Sequence, residues 1–254
     1  MTSKNKIRSL NIAMGLILAS SSSAFTQTPS ITLTPLSGPI YLVEDAHYAK
    51  TNSLIYVGPS YVSIIGATWS PETARMLAQQ IKQLTSRPIR EVIDTSPDPE
   101  WSGGNAYWKG IGAQVIAAKA TCGALRTNWD ATVARTQKSF PNFPRLPLSE
   151  PSECDSNNFD LQDGNIKVIY LGPSHTEADV FVYFPQQRVL DASSILKEQL
   201  GNLANANTQE YPKTLRKLQA MHLNIATIIS GHWSPIHGPE LIETYLDLLR
   251  QAGH

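Results

Sequence analysis

Apolar residues crowd the stretch from Gly38 to Ile65 into the runs IYLVE, SLIYV and YVSIIGA, broken by Gly and Pro, and this predicts short β segments. A helix is expected next. Ser70-Pro71-Glu72-Thr73 combines a Ser cap with Pro at the first helical position, and Ala74, Leu77, Ile81 and Leu84 recur at helical spacing. Arg90 to Asp94 (REVID) predicts a strand that ends in the turn-rich run Thr95 to Gly104. Two helical stretches are expected on either side of Ala113–Ala118, and Lys138 to Pro151 holds too much Pro for helix or strand. Phe159–Leu161, Ile166–Leu171, Val180–Phe184 and Arg188–Asp191 predict a second β block. Helical periodicity over Thr208–Met221 and Glu240–Ala252 then brackets an apolar strand, Ile225–Ser230.

The order is β-rich, helical, β-rich, helical, with no repeat of fixed period. Two such halves, each with a sheet and outer helices, predict an α/β protein built as a four-layer αββα sandwich. Chemistry in that arrangement belongs in loops at one end of the strands, here those after Asp94, Leu171, Asp191 and Ser230.

The first residues follow a different logic. Lys4, Lys6 and Arg8 precede the apolar run Leu10 to Ala19 and a small-residue site at Ser22-Ser23-Ala24, the layout of a cleaved export signal. The run is too short to span a bilayer. The expected division is a signal peptide over 1–24, a leader over 25–36 and one domain over 37–254. A periplasmic or secreted location follows.

The 254 residues carry 21 Lys+Arg against 21 Asp+Glu, and loss of the signal leaves 18 against 21. That balance gives no electrostatic drive toward nucleic acid or an anionic membrane surface. Neither is expected as a partner, and a monomer is expected. With 41% hydrophobic residues the chain can bury a sizeable core. Its two cysteines, Cys122 and Cys154, allow at most one bridge, and their spacing leaves open whether they pair.

Two of the four loops hold a His just past a strand end with Gly and Pro close by: His175 in GPSHTEAD and His232 in SGHWSPIHG. A rigid turn aims such a side chain, which suits a metal ligand or a general base. The runs GATWSPETAR, SGGNAYWKGIGA, GPSHTEADVFVYFP, ILKEQLGNL and SGHWSPIHGPELI resemble the metallo-β-lactamases, most closely subclass B2, from about Ser37 to Leu249. The resemblance implies an αββα sandwich with a zinc cleft at one edge of the sheets, and hydrolysis of the β-lactam amide of carbapenem-like substrates.

The metal positions depart from the pattern. Where subclass B2 has Asn-x-His-x-Asp before GGNAYW, this chain has Ser96-Pro97-Asp98-Pro99-Glu100, and Ser194 stands at the cysteine ligand. The resemblance implies a ligand set of Glu100, His175, His232, Asp98 and Ser194, holding one zinc ion with weakened affinity. A neutral hydroxyl replaces a thiolate, and Glu replaces Asp with a longer arm. Glu100 and His232 with His175 would make a two-His, carboxylate set, and with Asp98 a one-His, two-carboxylate set, acceptable to zinc, iron or manganese. Asp98 or Glu100 is the expected base for the catalytic water.

Lys197 matches the family's carboxylate-binding Lys, Asn202 the Asn near the lactam carbonyl, and Trp233 with Trp101 adds rings beside the cleft. Trp108, Tyr107, Trp129 and the FVYF run are expected core aromatics, and Glu91, Asp130 and Lys167 solvated charges. Two functions compete: a secreted zinc-dependent β-lactam hydrolase, and a catalytically lapsed homologue that binds a carboxylate ligand. An ester or lactone hydrolase on the same fold is a third.

Overall fold

The computed structural model describes residues 30–254; the export-signal segment lies outside them. The first sheet runs in chain order through β1 (Ile31–Ser37), β2 (Ile40–Asp45), β3 (Thr51–Val57), β4 (Val62–Ile65), β5 (Ile89–Asp94) and β6 (Gln114–Ala117). β1 to β4 pair antiparallel, and β4, β5 and β6 are parallel. The second sheet holds β7 (Asn158–Leu161), β8 (Ile166–Ile169), β9 (Phe181–Phe184), β10 (Val189–Asp191), β11 (Thr227–Ile229) and β12 (Ile236–His237), again in order.

Alternation along each strand explains the continuous apolar runs. Ile40 and Leu42 on β2, Leu54 and Tyr56 on β3, and Ile93 on β5 face Val168, Val182 and Phe184 of the other sheet. Their neighbours Val43, Ile55 and Val92 point the other way, under α1 (Pro71–Leu84) and beside Trp108. In the second sheet Phe181 and Tyr183 turn outward onto α5 (Tyr211–Ala220) and α6 (Leu241–Gln251). A strand covered on both faces reads as uniformly apolar. These layers are the expected four-layer αββα sandwich.

Helix α1 forms where its signals lie. The Ser70 hydroxyl accepts from the Thr73 amide, the Thr73 hydroxyl accepts in return from the Ser70 amide, and Ala74, Leu77 and Ile81 are buried. Burial of Leu77 and of Ile81 contributes about 1.5–3 kcal/mol each. The stripe stops at Ile81, because Leu84 is 39% exposed. Helix α4 (Lys119–Ser139) buries Cys122, Leu125, Trp129 and Val133 along one face, and Cys122 pairs with Cys154 before β7.

Three local expectations change. β1 lies in the segment expected as a leader, and it pairs with β2 from Ile31 onward. The turn-rich run contains a one-turn helix, α2 (Pro99–Ser102), with Pro99 at its start, followed by α3 (Asn105–Gly110). Glu91 is not simply solvated, since it accepts hydrogen bonds from the Tyr61 hydroxyl (2.8 Å) and the Ser63 hydroxyl (2.7 Å). Among the described residues no helix is long and apolar enough to cross a membrane.

Candidate functional site

The loops after β5, β8, β10 and β11 meet at one edge of the two sheets and are stitched across the gap. The Thr95 and Ser193 hydroxyls lie 2.9 Å apart, the Gly231 amide donates to the Ser193 carbonyl at 2.8 Å, and the Asn52 amide donates to the Gly231 carbonyl at 2.8 Å. The Asn52 side-chain amide adds a bond to the Ser230 carbonyl at 2.9 Å. Trp101 is wedged beneath: a Cβ added to Gly66 or Gly231 would meet its ring at 3.0 or 2.8 Å. Both positions therefore need glycine for the loops to close, and Gly66 also has φ +87°.

These loops border a cavity of about 290 Å³. Asp98, Glu100, His175, Lys197, Asn202, His232 and Trp233 all line it, so the sequence-derived candidates converge. Ser194 lies beneath, fully buried, and donates to Glu100 Oε1 at 3.2 Å while accepting from Trp101 Nε1 at 2.6 Å. Trp101 is likewise buried below the cavity rather than beside it, whereas Trp233 is 37% exposed at its rim.

The charges are unevenly tuned. Burial pushes the Glu100 carboxyl up, but His232, its hydrogen bond, His175 and Lys197 more than offset this and hold it down at about 2. Burial, then Glu100 and Asp179, push Asp98 up to about 7 against the pull of Arg135 and Lys197. Burial lowers Lys197 to about 8, partly countered by Glu100, Asp179 and Asp98. Lys197 thus remains largely an ammonium at neutral pH. Burial and that ammonium push His175 down to about 3, so its ring is neutral.

These values separate the expected roles. Glu100 is too weak a base to activate water or the Ser194 hydroxyl near neutrality, and Ser194 is closed off from solvent. Asp98 has a value matched to proton exchange at neutral pH, with Arg135 Nη2 3.3 Å from its Oδ1.

The expected zinc set does not assemble. Glu100 Oε1 and His232 Nε2 lie 3.3 Å apart, but the third group beside them is the Ser194 hydroxyl, whose hydrogen bonds are already made. His175 Nδ1 is 3.1 Å from Lys197 Nζ, so its lone pair accepts from an ammonium. His232 has oxygens beside both ring nitrogens, Glu100 at Nε2 and the Lys50 carbonyl 3.3 Å from Nδ1. Among the described residues no group of three or more His, Cys, Asp or Glu side chains could hold a metal ion. Zinc takes three or four such donors, so the residues present do not fit it.

Sequence reasoning missed Arg135, which reaches the cavity from the middle of α4. Trp69, Phe140 and Asn205 also line the cavity, and nothing in their local sequence singled them out.

No family model matches the chain. The metallo-β-lactamase IND-1 of Chryseobacterium indologenes is 26% identical over 208 residues, covering 80% of this chain and 79% of that protein. A metallo-β-lactamase type 2 of Elizabethkingia meningoseptica is 24% identical over 234 residues, covering 88% and 86%. Among solved structures, VMB-1 superposes with a TM-score of 0.76 at 19% identity, covering 90% of this chain and all of that one. The metallo-β-lactamase FIM-1 of Pseudomonas aeruginosa, in a mono-zinc form, gives 0.74 at 17% identity, covering 87% and 96%. The relatives' names carry the family and not subclass B2. The chain therefore has the metallo-β-lactamase fold, and its curated relatives support a place in that hydrolase family.

Proposed function

We propose that the protein is an exported, monomeric binder of carboxylate-bearing β-lactam-like molecules, catalytically lapsed with respect to zinc-dependent hydrolysis. The observation that carries this reading is the state of Lys197: a charged side chain only 2% exposed, lining a cavity sized for a small ligand. An ammonium withdrawn from water keeps a strong demand for an anion, and a ligand carboxylate meets it with charge-assisted hydrogen bonds. Asn202 spends its Oδ1 on the Ala204 amide, which leaves its Nδ2 as a donor at the rim. Trp233 offers an exposed ring for stacking. The Cys122–Cys154 bridge supports an oxidising location such as the periplasm.

Hydrolysis of carbapenem-like substrates, as in subclass B2, is the second reading. It is favoured by curated relatives named metallo-β-lactamases that align with 80% and 88% of the chain. One experiment decides between them. Carbapenem binding is measured calorimetrically with chelator present, and hydrolysis is followed by absorbance as zinc is titrated from chelated to excess. Binding without turnover at any zinc level is the expected result. Turnover that vanishes with chelator and returns with zinc would install the hydrolase instead.

A further inference from the structure

We infer that the cleft has a second anion subsite at Arg135, and that its preferred ligands carry two anionic groups rather than one. This rests on the proposed binding of a carboxylate at Lys197.

Arg135 comes from α4, an element separate from the four loops that present the other polar groups. Among the described residues its guanidinium makes one hydrogen bond, from Nη2 to Asp98 Oδ1 at 3.3 Å, a long contact for a charged pair. A guanidinium carries five N–H donors in a planar fork. Four of them are left for another acceptor, and the side chain is 42% exposed while Asp98 is 14% exposed. Asp98 thus anchors the fork from below without covering it. Asn202 and Asn205 add neutral amides along the same wall.

The charges around the cavity favour this use. Glu100 is engaged by His232, Ser194 and Trp101, so its charge is met within the protein. Asp98 lies within electrostatic reach of both Arg135 and Lys197, so the two cations share one cavity, while Glu100 and Asp179 also lie near Lys197 and none but Asp98 bonds to Arg135. A ligand with one carboxylate satisfies Lys197 and leaves the Arg135 fork facing water. A ligand with a second carboxylate also meets the fork, and guanidinium holds carboxylate with two parallel bonds.

Benzylpenicillin and carbenicillin share a nucleus, and carbenicillin adds a carboxylate on the side chain. Their dissociation constants for the purified protein, measured by calorimetry in chelator, test the subsite. Carbenicillin is expected to bind about tenfold tighter, the equivalent of one charge-assisted hydrogen-bonded contact. Arg135→Gln is expected to abolish that preference, so that the two compounds bind the variant with equal affinity. Equal affinities for the two compounds in the parent protein, or a preference that survives Arg135→Gln, would overturn the subsite alone. Failure of both compounds to bind would overturn the carboxylate-binding function and the subsite with it. The parent comparison needs no variant, so it stands even if Arg135→Gln folds poorly.

Discussion

Lys197 places its ammonium 3.1 Å from Nδ1 of His175. A fixed protein cation therefore faces one of the two imidazoles that the family resemblance assigns to metal. The ring accepts at Nδ1 and carries its proton on Nε2.

Replacing Lys197 by Met keeps most of the buried stem and removes the charge. Affinity for a monocarboxylate β-lactam is expected to fall at least about tenfold, since hydrogen bonds to charged groups contribute about 1.5–3 kcal/mol. Equilibrium dialysis with chelator present measures it. Unchanged affinity would put the carboxylate elsewhere.

Restoring the ligand pattern should restore the metal. Combining Asp98→His, Glu100→Asp and Ser194→Cys adds an imidazole, shortens a carboxylate arm and supplies a thiolate at once. Zinc affinity, read by competition with a chromophoric chelator, should rise by orders of magnitude over the parent. If parent and triple variant compete equally, the assignment of these positions is wrong.

The fold's layers could be read from the chain because each strand carries apolar residues on both faces, as Leu54 and Ile55 do on β3. The capped helix α1 announced itself through Ser70 and Pro71 for equally local reasons. β12 escaped notice because two residues, Ile236–His237, show no period. Convergence of the candidate site was legible from strand ends, but its state was not. Whether Glu100 meets a metal or His232, and whether Lys197 faces water or His175, depends on distances between loops far apart in sequence. Arg135 was invisible for the same reason, since 37 residues separate it from Asp98.

The bridge between Cys122 and Cys154 spans 32 positions and ties α4, with Arg135 on it, to the strand block that follows. Closing a loop of that length stabilises by about 3–4 kcal/mol in the chain-entropy account. Denaturant unfolding of Cys122→Ala with Cys154→Ala should show a loss of that order. A loss under about 1 kcal/mol would mean that the reduced chain holds this region together unaided.

Asp45 at the end of β2 is raised to about 6 by burial, countered by the His47 amide, and its Oδ2 has no hydrogen-bond partner among the described residues. A folded value above the unfolded 3.8 means that ionisation opposes folding. The penalty is absent below pH 4, grows between pH 4 and 6, and is constant above. Asp45→Asn should therefore stabilise the protein at pH 8 by about 1–3 kcal/mol and make little difference at pH 4. Equal stabilisation at both pH values would point to packing instead of charge.

The bonds from Asn52 to Ser230 and Gly231, and between the Thr95 and Ser193 hydroxyls, cross between the two halves of the molecule beneath the cleft. They give the floor a mechanical integrity independent of anything bound above it. In many small metalloproteins the ion is also the rivet, and mutating its ligands unfolds the chain. Here the rivet is a set of hydrogen bonds from Asn52, Thr95 and Ser193, none of which lines the cavity, so the residues around the cavity are free to drift in evolution without endangering the scaffold. A metal-binding pattern can then be rewritten, Cys to Ser and His to Asp, while the cleft itself keeps its shape.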